Sequence, residues 1–294
     1  MHKTRLWQSL LLVLSSTLLV NCNQYSKPMN KTTQSTTPPA ANSQTENSML
    51  RVDIGAEIPT FDSALAADGY TYRVINDLYA GLLDFDQRNR PIAGMATSWE
   101  ISPNGLDYTF HLRHNLKFSD GSPISASDFV FSWQRLVDPK TGSSYAFLLN
   151  DVANAKAIIA GKQAATSLAV TAPDPYTLKV HLAHPSNAFL SYLTVPNVFV
   201  VSRKVVEQYG ESWTNLSHIV TSGAYQLREH VVNGYILVSK NPQFYQADQV
   251  TIDQVKYFPF TDTNASLANY KTGALDTTWQ NVPVDQYQQL KQQY

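Results

Sequence analysis

The chain has 294 residues, with 22 basic against 23 acidic side chains and a formal net charge of −1. That length holds one or two domains with a sizeable core. The charge balance offers no basic face for nucleic acid and no reason to expect a strongly charged partner. Tyrosine is abundant at 16 residues, beside 12 Phe and 5 Trp. Such a supply suits surfaces that bind with an apolar body and a polar tip, although packing accounts for most aromatics in most proteins.

The chain opens MHKTRLWQSLLLVLSSTLLVNCNQ. His2, Lys3 and Arg5 precede a short apolar run, Leu10 to Val20, too short to span a bilayer well and shaped like a secretory signal. The single cysteine, Cys22, follows directly. "LVNC" resembles a bacterial lipoprotein signal, which implies that residues 1–22 are a signal segment and that Cys22 becomes the lipidated first residue. Asn21 is larger than the small residue usual before that cysteine, so plain secretion is the other reading. Residues 23–48 are Thr, Ser, Asn, Gln and Pro with almost no apolar content. Such a segment cannot repay its ordering entropy, and it is expected to be a disordered tether. Its mean reach as a coil is roughly 25–30 Å.

Folded structure is expected from Met49. "LRVDI" reads as a strand. In "YTYRVINDLYAGLL", Val74, Leu78 and Leu82, flanked by Ile75 and Tyr79, have helical spacing over 70–83. "DYTFHLR" alternates, placing Tyr108, Phe110 and Leu112 on one face; "YTLKVHL" repeats this with Tyr176, Leu178, Val180 and Leu182 inward. "YQLRE", "YILVS" and "VKYFPF" add later strands. Helical stretches are expected near 126–137, 145–160, 187–194, 203–209, 263–272 and 285–292. Strands and helices mix without strict βαβ alternation, which gives a mixed α/β or α+β class.

The stretch "KFSDGSPISASDFVFSWQRLVDP", 117–139, carries enough acids and hydroxyls to suggest a site. Each has a structural reading instead. Asp120-Gly121 makes a turn that Pro123 stiffens, and Ser125 with Asp128 makes a capping box at the positive end of a helix dipole. Phe129, Trp133 and Leu136 then bury one face, and Asp138-Pro139 ends the helix.

Catalytic and metal patterns are weak. His111 and His114, or His181 and His184, lie three apart on strands and point to opposite faces. Asp84 and Asp86 share a strand face by spacing, but two carboxylates alone are slender support for hydrolysis, and a solvated strand end explains them. No zinc, phosphate-loop or nucleophile-elbow motif occurs, and no cofactor is expected. "TSGAY", 221–225, reads as a turn feeding a strand.

Several ordered blocks resemble the family-5 solute-binding proteins of ABC importers, nearest the oligopeptide-binding branch. They are INDLYAGLLDFD (75–86), the unbroken stretch 91–139, YTLKVHLAHP (176–185), HIVTSGAYQL (218–227), ILVSKNPQFY (236–245) and YKTGALD (270–276). SWQRLVDPKTGSSYAFLL and VPVDQYQQLK carry the branch-level likeness. The resemblance spans residues 50–294. It implies a type II periplasmic-binding-protein-like lobe with an accessory α/β domain over roughly 83–205, and a peptide added as an extended strand between lobes. It implies no catalysis. On this resemblance Ala67, Asp68 and Gly69 line up with the segment whose main chain bonds the peptide, with the acid at Asp68 where the family often has it at position 67. Tyr145 lines up with a ligand-contacting tyrosine, and Trp279 falls where the chain passes the cleft.

The implied partners are an oligopeptide and the membrane subunits of an ABC permease, with a lipid anchor holding the protein to a membrane. Family members run considerably further. The expectation is therefore a chain that stops before the second lobe, inside the helix "DQYQQLKQQY", with a separate chain as one source of the missing lobe. The alternatives are an exported hydrolase of peptides or cell-wall fragments, and a relative that binds a dipeptide, nickel or haem.

Overall fold

The computed structural model describes residues 48–278 and 282–293. In chain order the strands and helices begin with β1 (Met49–Asp53), α1 (Gly69–Leu78), β2 (Leu83–Phe85), β3 (Pro91–Ala93), β4 (Ala96–Ile101) and β5 (Asp107–Leu112). They continue with α2 (Ala126–Val137), α3 (Ala155–Ile159), β6 (Val170–Asp174), β7 (Thr177–His181), α4 (Phe189–Tyr192) and α5 (Arg203–Tyr209). β8 (Tyr225–Val231), β9 (Tyr235–Lys240), β10 (Gln254–Phe258), α6 (Thr263–Lys271) and α7 (Tyr287–Gln293) complete the set.

Two four-stranded sheets carry the fold. The first has the order β1-β10-β9-β8 and the second β4-β5-β7-β6, with β2 and β3 as a separate hairpin. In the first sheet β1 lies parallel to β10 and the remaining pairs are antiparallel. The period of two aligns Leu50, Val255, Val238 and Leu227 in one cross-strand row, with Val52, Tyr257 and Ile236 in the next. α1 packs by β8 and buries Val74, Ile75 and Leu78 completely.

α1 stops at Leu78, not at Leu83 as the apolar spacing predicts. The Leu78 carbonyl is taken by the amides of Ser222 and Gly223, at 3.1 and 2.9 Å, and Tyr79 is extended. Satisfying the terminal carbonyl from outside ends the helix as a cap would.

In the second sheet Tyr108, Phe110 and Leu112 all face the core, as their alternation predicts. Phe110 sits opposite Trp99 on one side and Leu178 on the other. Tyr176 departs from expectation. It precedes β7, is 39% exposed, and stacks on His114 with ring centroids 4.0 Å apart. α2 crosses β6 and β7 and buries Phe129, Trp133 and Leu136, while the Trp133 indole N–H donates to the Val198 carbonyl at 2.9 Å. The Asp128 carboxylate accepts from the Ser125 backbone N–H at 2.9 Å and the Ser125 side chain meets the Asp128 backbone N–H, the capping box that the sequence predicts. Burial raises the Asp128 pKa above the usual carboxylate value, against the lowering effect of the Ser125 bonds.

The stretch 145–160 is not one helix. A 3₁₀ turn, Ala146–Leu149, and α3 are separated by a bridge between Val152 and Leu182 and by Asn154 in the left-handed region at φ 72°.

Candidate functional site: a braced, extended loop

The connection from β1 to α1 ends in the segment from Phe61 to Gly69, the first residue of α1. Asp62 caps a 3₁₀ turn, Ser63–Leu65, by accepting from the Ala64 N–H at 3.0 Å. Ala66 and Asp68 are both extended, with ψ of 130° and 162°. Asp68 then caps α1, taking both the Thr71 N–H and the Thr71 hydroxyl at 2.8 Å. Its carboxylate is thus committed to the helix end.

Ala67 and Gly69 are exposed. Among the described residues no hydrogen bond uses the Ala67 N–H or carbonyl, so this short extended segment offers main-chain groups outward. A β-carbon on Gly69 would meet nothing within 4 Å. From Gly69 a trough of about 410 Å³ follows the exposed side of α1, lined by Gly69, Tyr72, Arg73, Asn76 and Asp77.

The rear of the loop is held by polar contacts. Tyr79 Oη donates to the Phe61 carbonyl at 3.1 Å. Asp62, 4% exposed, forms a two-pronged ion pair with Arg135 of α2; one of its bonds, from Nη1 to Oδ1, is 2.9 Å long. Ser143 Oγ donates to the Ala64 carbonyl at 2.5 Å. Asn197, 2% exposed, donates through Nδ2 to the carbonyls of Ser63 and Ala66, both at 2.9 Å. Its Oδ1 accepts from the Tyr72 hydroxyl at 2.8 Å.

Tyr145 stands beside this network. Its N–H donates to Ser143 Oγ at 3.1 Å, and its half-buried ring meets Tyr72 edge-on at 5.8 Å and Phe147 at 5.5 Å. Burial first, then the hydrogen bond and charge of its neighbours, pushes the Tyr72 phenol well above its usual value, so it stays a neutral donor. Three residues singled out from the sequence, Ala67, Asp68 and Gly69, therefore join Tyr145 through Tyr72. Trp279, like Cys22, lies outside the described residues; the preceding Thr277 runs beside β1, its carbonyl accepting from the Asp53 N–H at 3.2 Å.

Sequence reasoning missed Asn197, Tyr72, Ser143 and the Asp62–Arg135 pair. One signal was available. Asn197 is a lone amide in the apolar run "VPNVFVV", and a buried polar group there must find partners.

The groups considered for catalysis or metal binding are dispersed. His111 Nε2 lies 3.2 Å from Glu100, and His181 Nδ1 lies 2.7 Å from Asp107. His184 faces Asp151 at 3.7 Å. Asp84 accepts the next residue's N–H. Asp86 closes a turn with Arg90, whose guanidinium holds the Asp86 carboxyl below its usual range. Among the described residues no three His, Cys, Asp or Glu gather as a metal site would require.

Two four-stranded sheets carrying an extended, braced loop place the chain in the mixed α/β class. The chain belongs to the bacterial extracellular solute-binding proteins of family 5, whose middle region matches residues 90–294. It is 40% identical over 241 residues to the periplasmic oligopeptide-binding protein OppA of Salmonella typhimurium, covering 81% of this chain and 44% of that protein. It is 37% identical over 236 residues to the periplasmic murein peptide-binding protein MppA of Escherichia coli, covering 80% and 43%. Among solved structures, Haemophilus influenzae OppA in complex with RPPGFSPFR matches with a TM-score of 0.82 at 34% identity, covering 84% of this chain and 49% of that one. The chain spans about half the length of the relatives it matches.

Proposed function

We propose that this chain supplies the peptide-pairing lobe of the substrate-binding component of an ABC peptide importer. It captures oligopeptides outside the cytoplasmic membrane for delivery to a permease. The observation that carries this reading is the extended Ala67 segment, braced from behind and with its own main chain unpaired. An extended peptide adds to such an edge by main-chain hydrogen bonds, and adjacent pockets receive its side chains. Tyr145 and Trp279 are the aromatic contacts in this reading, and Asp68 and Gly69 shape the edge. The accessory domain spans roughly 83–205. Residues 1–22 are a lipoprotein-type signal, Cys22 is the lipidated residue, and 23–48 tether the body to the membrane surface. Among the described residues no helix is long and apolar enough to cross a membrane.

A cleft that encloses most of its ligand needs two walls. Titration calorimetry with tri- to pentapeptides should therefore show weak or no binding to this chain alone. Micromolar binding is expected once a polypeptide matching the second half of the relatives is added. Failure of that mixture to bind any peptide would sink the reading.

A further inference from the structure

Five of the six residues from Phe61 to Ala66 are gripped by side-chain donors. Phe61, Asp62, Ser63, Ala64 and Ala66 each give an oxygen to a donor, and the series ends at Ala67. Apart from Tyr79, every donor comes from the stretch between Arg135 of α2 and Asn197. Asn197 is central because both of its amide donors reach the loop while its oxygen takes the Tyr72 hydroxyl. A primary amide is the side chain suited to this task, with two donors on one side and an acceptor on the other. An apolar residue of similar branching would leave the Ala66 carbonyl without a partner and the Ser63 carbonyl with only the Ala66 N–H, at 3.3 Å.

We propose that Asn197 is a positioning residue, fixing the Ala66 carbonyl so that the main-chain groups of Ala67 face a ligand in one register. In this role the α2-to-Asn197 stretch is a splint for the pairing edge. The inference rests on the peptide-binding reading above and deepens it. A ligand strand that pairs by main-chain hydrogen bonds demands a fixed partner register, because a slip of one residue turns every side chain to the opposite face. The loop has no sheet ladder to set that register, so side-chain donors set it.

The test uses the whole chain and two variants, Asn197→Leu and Tyr72→Phe. The first keeps the branching of the side chain and deletes the donors; the second removes only the hydroxyl that orients the amide. Hydrogen exchange at the amides of Ala64, Leu65 and Ala66 should quicken by about tenfold or more in Asn197→Leu, and by less in Tyr72→Phe, through local opening of the loop. Exchange in β5 and β9 should be unchanged. With the complementing polypeptide present, peptide affinity should fall about tenfold in Asn197→Leu. Unchanged loop exchange, or an equal rise in β5 and β9, overturns the brace. Local loosening with undiminished peptide affinity overturns the positioning role. If the unmodified mixture binds no peptide while the loop still loosens in the variant, the peptide-binding reading fails and the brace stands.

Discussion

A β-carbon at Gly223 would lie 2.7 Å from the Asp77 carbonyl oxygen, the Leu78 carbonyl carbon and the Tyr79 nitrogen. All three are backbone atoms, so no side chain can swing aside. Gly223 also donates to the Leu78 carbonyl and accepts from Asn241 Nδ2 at 2.9 Å. Gly223→Ala should therefore cost about 1–3 kcal/mol by overpacking, read as a lower urea midpoint at unchanged slope. Gly69→Ala, where the space is open, is the control and should change stability by less than about 1 kcal/mol. At this scale "TSGAY" shows the limit of reading along the chain. Its turn chemistry is visible in Ser222-Gly223, and β8 does begin at Tyr225. That the glycine admits the end of a helix nearly 150 positions earlier depends on tertiary approach, which no local pattern encodes. Asn197 is the same case: its oddity in an apolar run is legible, its partners are not.

Elements were legible where one amphipathic face and a local cap agree. α2 and α5 occupy the residues that periodicity predicts, 126–137 and 203–209. In both, the apolar spacing and a Ser at the N-cap give the same answer. The region 145–160 misled because its apolar density is real but serves a bridge to Leu182 rather than one helical face. β1 poses a different problem. Its outer edge is closed by Asp276, whose N–H donates to the Arg51 carbonyl at 2.9 Å and whose carboxylate pairs with the Arg51 guanidinium at 2.7 Å.

The Arg51 hydrogen bond leads in holding the Asp276 pKa below its usual value. A depressed carboxylate pKa contributes stability above its unfolded value and loses it as pH falls through the folded one. Exchange at the Asp276 amide should accordingly quicken as pH drops below roughly 4, after correction for the intrinsic rate. Asp276→Asn should remove that acid dependence. A global melt is the wrong measurement, because Asp77 has the opposite sign. Burial raises its pKa against the bond from Tyr257, so its contribution weakens as pH rises through the raised value. An exchange rate at Asp276 that ignores acid in the parent chain would refute the edge assignment.

At the scale of the molecule, family membership was legible in ordered blocks, and the mixed α/β class in the alternation of patterns. The order of strands was not. Nothing in "LRVDI" says that its neighbour is "VKYF" rather than a nearby strand, because parallel pairing is set by the way the layers close. The cellular assignment makes its own prediction. If Cys22 carries lipid, Cys22→Ser should move the protein from the membrane fraction to the soluble extract of the envelope, by immunoblot. A single acyl chain binds membranes only marginally, so the shift should be near complete only if lipoprotein processing adds more than one. An unchanged distribution would leave plain secretion as the reading.

The parallel pairing of β1 with β10 also has a consequence in time. Ser48, just before β1, and its partner Asp253 are separated by 205 positions. As the polypeptide leaves the ribosome, β1 is the first strand made and waits for its parallel neighbour until residues 254–258 have been translated. Contacts of such long span are slow to close. The donors that grip the Phe61–Gly69 loop all lie at or before Asn197, so the loop can be braced before β10 exists, and the sheet edge formed by β1 is joined only afterwards.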